Sequence, residues 1–458
     1  MFSNFLNSNN MKKSLILILA SIAIIMSSCG KKNAEKLLKT IPQNAQFVAM
    51  INAENLTEDL GEQGAGQLDQ LVNSTIKGNS TEDKMIKYIF GKDSQLDINV
   101  PVFVFGFKNS VIATFALKDD DQFRKDIESQ AGANFSKEKS VWYLPDHTVF
   151  VSDDQAWITG KYPEIQPSEI TSFTKLPDAS SMNSVAYMGQ LIEQDADVSA
   201  LVDVQALLQA NMNMQANLFL NMAFADPRYL SYCMNFEKGK IQGEMSVLNS
   251  KYEPAAIALR PSKINVAALN SFPGKGNLFV AGAFDSSTVS KIIGQVKSFA
   301  PVPPEVLTAL ENIDGNVVMS SFIKDPSAAP EQLTAMITFK DNMSANQCLS
   351  FFEDMIGSSE GVQCRAEGNT LIVSTPGQEG QPISSVAKDF EGAGMAMVFD
   401  ISSLNPVNNG NVSNLFSTLV VKLTDNGASS KINFAVTTKQ SQNALITLLQ
   451  AINSSNQN

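Results

Sequence analysis

One apolar segment of twelve residues, Leu15 to Met26, follows Met11-Lys12-Lys13-Ser14 and ends at Met26-Ser27-Ser28-Cys29. No other stretch of the 458 residues approaches the roughly eighteen apolar residues of a membrane-spanning helix. Twelve helical residues cover about 18 Å, against a hydrocarbon core of about 30 Å. The chain beyond Cys29 must therefore fold around cores of its own, and residues 1–28 read as a secretory signal peptide. Small side chains directly before a cysteine resemble the processing site of bacterial lipoproteins, so Cys29 is the expected lipid anchor. Residues 1–10 are uncharged and read as an upstream start.

Charge and composition narrow the partners. The formal charge is −12, from 34 Lys+Arg against 46 Asp+Glu. Cleavage before Cys29 would remove Lys12 and Lys13 and no acid, taking it to −14. Such a balance argues against nucleic acid, whose binding needs clustered cations. Hydrophobic residues at 44 % exclude a disordered polyanion. The residues after the anchor, Gly30-Lys31-Lys32-Asn33-Ala34-Glu35-Lys36, place no Asp at the second position. By resemblance to lipoprotein sorting signals this points to the outer membrane, and the lack of an acidic tether favours its periplasmic side.

The body reads as a duplication. Ala113, Lys118, Asp119, Ser136, Glu138, Thr148, Val151 and Ser152 recur as Ala335, Lys340, Asp341, Ser358, Glu360, Thr370, Val373 and Ser374, at a constant offset of 222. Each half opens with Phe-Val-Ala, at 47–49 and 279–281, before a capped helix start at Asn55 or Ser287. A strand pair follows, 102–107 with 111–117 and 317–323 with 333–339. Next comes an amphipathic helix, behind Asp119–Asp121 in the first half and behind a Ser344/Gln347 capping box in the second. Hairpins are expected at 141–151 and 362–373, and further strands at 184–191 and 394–401. Last hairpins turn at Glu237-Lys238-Gly239 and Asp425-Asn426-Gly427. Loops are expected over 161–183 and 374–386.

Short turns between strands mean antiparallel pairing. The expected class is α+β: two tandem, similar domains, each an antiparallel sheet with helices packed on one face. The expected bounds are 29–40 for a lipidated tether, 41–255 and 256–453 for the two domains, and 454–458 for a disordered tail.

Chemistry is sparse. There is no phosphate loop, no C-x-x-C and no G-x-S-x-G elbow. The single histidine, His147, excludes multi-histidine metal sites and reads as a hairpin-tip residue. Asp119-Asp120-Asp121 reads as a helix start, because the sixth position of a calcium loop would be Arg124. Trp142, Tyr143 and Trp157 read as sheet packing, with sugar stacking as the alternative. Cys348 and Cys364 are sixteen residues apart, which permits a bridge; free thiols are the other reading, and Cys233 is left over. The apolar segment 198–224, with Met212, Met214 and Met222, is spaced for a helix that would form an adaptable groove.

The stretch Thr40-Ile41-Pro42-Gln43-Asn44-Ala45-Gln46-Phe47-Val48-Ala49-Met50-Ile51-Asn52, after a short lipoprotein signal, resembles a family of uncharacterised Bacteroidetes lipoproteins. The resemblance implies an envelope location and supplies no catalytic residue, metal or cofactor. The sequence thus leads to a non-catalytic, lipid-anchored envelope protein that binds a ligand or an envelope partner. The alternatives are an apolar ligand or peptide carrier using 198–224 and an acid-based hydrolase.

Overall fold

The computed structural model describes residues 31–455 except 62–83, 85–87, 89–93, 109, 132–134, 137–140, 144–146, 161–165, 207–220, 222, 258–259, 285, 297–301, 326–329, 357–360, 378, 405–411 and 426–429. The signal segment and Cys29 lie outside the described residues, as do Met212, Met214 and Met222. The fold is α+β, framed on large antiparallel sheet structure. No described helix is long and apolar enough to cross a membrane. The chain forms two compact units. The first takes residues 1–213, 228–241 and 441–458, and the second takes 214–227 and 242–440. Against the expected tandem cut at 255/256, residues 214–227 and 242–255 fall in the second unit, and the C-terminal helix (Ala444–Ser455), which packs beside a strand of the first unit, falls in the first. That helix also takes in 454–455, expected as tail.

In the first unit the strands are β1 (Phe47–Ile51), β2 (Val102–Phe107), β3 (Ser110–Ala116), β4 (Phe135–Ser136), β5 (Val141–Tyr143), β6 (His147–Ser152), β7 (Gln155–Gly160), β8 (Val198–Asp203) and β9 (Tyr229–Glu237). They pair in the order β4-β5-β6-β7-β3-β2-β1-β8-β9. Its helices are α1 (Lys31–Leu38), α2 (described over 53–61), α3 (Asp120–Ala131), α4 (Pro167–Phe173) and α5 (Ala186–Glu193).

Both faces of this sheet are covered. Phe115 meets Phe123 of α3 edge-on, with centroids 6.3 Å apart. Its neighbour Thr114, on the opposite face, accepts a hydrogen bond from Gln155 Nε2 at 2.7 Å. The same amide donates to Thr40 Oγ1 at the end of α1, at 2.8 Å. Alternation along β3 thus sends one side chain to α3 and the next to α1.

The second unit has β10 (Lys240–Leu248, most of which lies in this unit), β11 (Lys275–Gly276), β12 (Leu278–Phe284), β13 (Ile313–Phe322), β14 (Gln332–Phe339), β15 (Gln363–Glu367), β16 (Thr370–Ser374), β17 (Gln381–Pro382), β18 (Met395–Asp400), β19 (Phe416–Asp425) and β20 (Ser430–Thr438). The main order is β15-β16-β14-β13-β12-β18-β19-β20-β10, and β11 pairs with β17 separately. Helices α6 (Ser286–Val296), α7 (Pro304–Leu310) and α8 (Asn342–Ile356) build one core with Leu371 and Phe339. On the other face Val318, Met336 and Ile372 join Phe279, Phe390 and Leu269 in a second core. Helices on one face only, as expected, would have left this second apolar row in water.

Several local expectations change. Residues 184–191 are helical rather than a strand, with Met188 and Leu191 buried three apart. The strand sits instead at 198–203, where the apolar segment 198–224 was expected to be helical. Val198 to Asp203 pair with β1 on one side and β9 on the other, and burial alternates with period two. Loop 161–183 contains α4, started by Pro167 and a Gln166/Glu169 capping box. Residues 31–38, expected as tether, form α1. Its Ala34, Leu37 and Leu38, and then Ile41, are spaced i, i+3, i+4, i+7 and fully buried. In the second unit Asp341, not Ser344, caps α8, taking the Ser344 N–H at 2.7 Å.

The expected repeats shift register. Burial along β1 and β12 places Val48 on Phe279, so the Phe-Val-Ala identity is one residue out. A one-residue slip turns every inward side chain outward. The offset of 222 holds over β3 and β14, where Val111 and Leu333 are both exposed. It fails in the hairpins. Ala113 faces Ile158 of β7, and Ala335 faces Val373 of β16. The hairpin β6–β7 therefore occupies the place of β15–β16, and the Thr148, Val151 and Ser152 identities fall on a different strand.

Candidate functional site

The chemistry-bearing cluster of the first unit is a carboxyl pair, Asp59 and Asp197. Leu56 and Leu60 are buried on α2, and Asp59, three residues after Leu56, turns toward the same interior. Asp197 lies just ahead of β8. There the chain leaves α5 through Asp195, which adopts a positive φ of 54°. The start of α2 is tied to this turn. Asn52 N–H donates to the Asp197 carbonyl at 2.9 Å, Asn52 Nδ2 to Asp195 Oδ1 at 3.2 Å, and Asn55 Nδ2 to the Asp195 carbonyl at 2.7 Å.

Asp197 is 5 % exposed. Its Oδ2 accepts the Phe236 N–H from β9 at 2.6 Å, while its own N–H donates to Asn235 Oδ1 at 3.1 Å. The two carboxyls hydrogen-bond each other, and Asn443 also bonds Asp59. Asn443 Nδ2 donates to the Phe236 carbonyl at 2.8 Å, and its Oδ1 accepts the Leu445 N–H at the start of the C-terminal helix. One constellation thus joins α2, the entry to β8, β9 and the C-terminal helix.

A hydrogen bond between two carboxyls needs one of them protonated, so this contact is made while the pair holds a proton. Burial pushes Asp197 up from 3.8 to about 7, opposed by the Phe236 N–H and reinforced by the charges of Asp59 and Asp195. Burial also raises Asp59. Its hydrogen bonds from Asp197 and Asn443 work the other way, and the charges of Glu58 and Glu237 add to the rise. The pair can store a proton and clamp four elements.

The second unit fastens its segments with the buried amides of Asn277 and Gln332, as Gln155 does in the first. Asn277 Nδ2 donates to the Ile323 carbonyl at 2.7 Å and to Ser403 Oγ at 2.6 Å, and its Oδ1 accepts the Ile323 N–H at 2.8 Å. Gln332 Nε2 donates to the carbonyls of Lys275 and Glu379, at 3.0 and 2.6 Å, and its Oε1 accepts the Glu379 N–H. The backbones approach closely here. A Cβ on Gly276 would lie 2.3 Å from the Ser321 carbonyl oxygen.

The residues singled out from sequence are scattered. His147 is the first residue of β6, opposite Gly160, rather than a turn residue. Asp119 caps α3, taking the Gln122 N–H at 2.8 Å, and Arg124 reaches Asp120 at 3.4 Å. Trp157 is fully buried against Phe150, which removes it from sugar stacking. Cys233, Cys348 and Cys364 are free thiols, and burial pushes Cys348 up to about 11. No group of three metal-ligating side chains occurs among the described residues. Sequence reasoning missed Asp59, Asp197 and Asn443, since no local pattern sets them apart from the other acids and amides.

No family model matches the chain, and no curated protein does. Among solved structures, two crystal forms of TP0453 are similar to it at a TM-score of 0.30 and 10 % identity, covering 77 % of this chain and 97 % of that one.

Proposed function

We propose that the chain is a lipid-anchored protein of the cell envelope that acts by binding a ligand or partner, without catalysis of its own. The observation that carries this reading is the sequence from Met11 to Cys29: two lysines, twelve apolar residues, two small residues and a cysteine. Gly30, in place of Asp, after the anchor supports the outer membrane, and the lack of an acidic tether behind it supports the periplasmic side. The body is two copies of one α+β design. In support, both units pair the strand after their first hairpin-bearing segment back to the same neighbour, and both end the strand beside β1 or β12 in an aspartate. Asp203 accepts the Ala206 N–H at 2.9 Å, and Asp400 the Ser402 N–H at 3.0 Å.

The test is Cys29→Ala with cell fractionation. The variant is expected to leave the membrane pellet and appear in the soluble envelope fraction, at native size less the signal. A variant that stays in the pellet as firmly as the parent overturns the anchor. Protease added to intact cells then reads the side: digestion before the outer membrane is opened overturns the periplasmic placement.

A further inference from the structure

The docking of α1 fixes how closely an anchored chain sits on its membrane. We infer that the surface of the first unit around the start of α1 lies directly against an anionic lipid bilayer. This inference rests on the anchor reading at Cys29 and adds an orientation to it.

Three observations carry it. First, only Gly30 separates Cys29 from Lys31, the first residue of α1. Two peptide steps span at most about 7 Å, whereas a flexible twelve-residue tether would have a root-mean-square reach of about 20 Å. Second, α1 is not free to act as a tether. Ala34, Leu37 and Leu38 are buried in the first unit, and Lys36 Nζ holds both oxygens of Asp154 at 2.5 and 2.6 Å. Thr40, just beyond the helix, donates to the Leu37 carbonyl at 2.8 Å and accepts from the buried Gln155 amide.

Third, the local charge is opposite to that of the chain. With Lys36 paired to Asp154, residues 31–39 still carry Lys31, Lys32 and Lys39 against Glu35, in a protein of net charge −12. The first turn of α1 holds no acid and two lysines. Cations there oppose the helix dipole, so they do not serve the helix. An anionic headgroup layer about 7 Å away, inside a Debye length of about 8 Å, gives them a partner.

The experiment is amine footprinting of the lipidated full-length chain on phosphatidylethanolamine–phosphatidylglycerol vesicles, with acetylation of each lysine read by mass spectrometry. Lys31 and Lys32 should react several-fold more slowly than in the soluble Cys29→Ala form. Lys125 is exposed on α3, which covers the opposite face of the same sheet, and should react equally in both. A Gly/Ser insert of about twenty residues between Gly30 and Lys31 should restore the reactivity of Lys31 and Lys32 while the chain still floats with the vesicles. If the parent floats but Lys31 and Lys32 react as in the soluble form, the anchor stands and the close seating is overturned. Protection that survives the insert also overturns it. A parent that does not float overturns the anchor reading, and this one with it.

Discussion

The first unit fastens its elements with a titratable pair as well as with the buried Gln155 amide, and the second with the amides of Asn277 and Gln332, which carry no charge at any pH. Both units run their central strands in corresponding order, and both cap the helix after β3 or β14 with an aspartate, Asp119 or Asp341. Both bury a bridging amide, Gln155 in the first and Gln332 in the second, and the first adds a carboxyl pair. Asp59 and Asp197 hold a proton more tightly than free carboxyls do, whereas Asn277 and Gln332 each satisfy fixed backbone groups of crossing segments. The carboxyl pair responds to protons, and the amides do not.

The largest expected effect comes from Asn277→Ala in the second unit. It would leave the Ile323 N–H and carbonyl without their partner and open a gap beside Ser403. At about 1–3 kcal/mol for each buried group left unpaired, the loss is about 3 kcal/mol and independent of pH. Hydrogen exchange along β13 and β18 would report it; exchange unchanged from the parent would break the assignment of Asn277 as a fastener.

The pair in the first unit has the opposite character. Asp197 is held above its unfolded value of 3.8, so the folded state binds the proton more tightly. Its contribution is fully present below pH 3.8 and is lost as pH rises toward 7. One proton sets a slope of at most about 1.4 kcal/mol per pH unit. Exchange of β9 amides should therefore speed up across that window, and β19 amides should not follow through this cause. Asp197→Asn keeps the shape, donates to Asp59 and still accepts from Phe236, so it should flatten the slope. A parent slope that survives in this variant would show that other groups produce it.

The smallest expected effect sharpens the likeness rather than the difference. Asp119→Ala and Asp341→Ala each remove one helix cap, at a cost of about 1 kcal/mol apiece. Urea unfolding followed within each unit would check it, and a cost confined to one cap would count against equivalent roles.

Much of the second unit could be read along the chain. The apolar face of α8, the pairing of β13 with β14 and the turn at Gly368, whose φ is +63°, follow from periodicity and turn chemistry. The first unit was harder, for identifiable reasons. Residues 184–191 carry apolar positions suited to either period, and only the packing of Met188 and Leu191 makes them helical. Val198 to Asp203 look continuous with the methionine-rich stretch, until two neighbouring strands claim their backbone groups. Identical residues misled where a hairpin is added, because β6–β7 rather than β5–β6 returns to β3.

The sequence by itself determined the apolar segment ending at Cys29, the acidic balance, the antiparallel α+β class and the lack of any recognisable nucleophile or metal pattern. These depend on composition and on neighbours along the chain, whose spacing is visible in one dimension. Only the tertiary structure decided that Lys31 to Leu38 dock as a helix, that both sheet faces are covered, and that Asp59 meets Asp197 beside Phe236 and Asn443. The pair's raised proton affinity arises only because folding brings distant carboxyls together and strips water from them, and no spacing along the chain encodes that encounter.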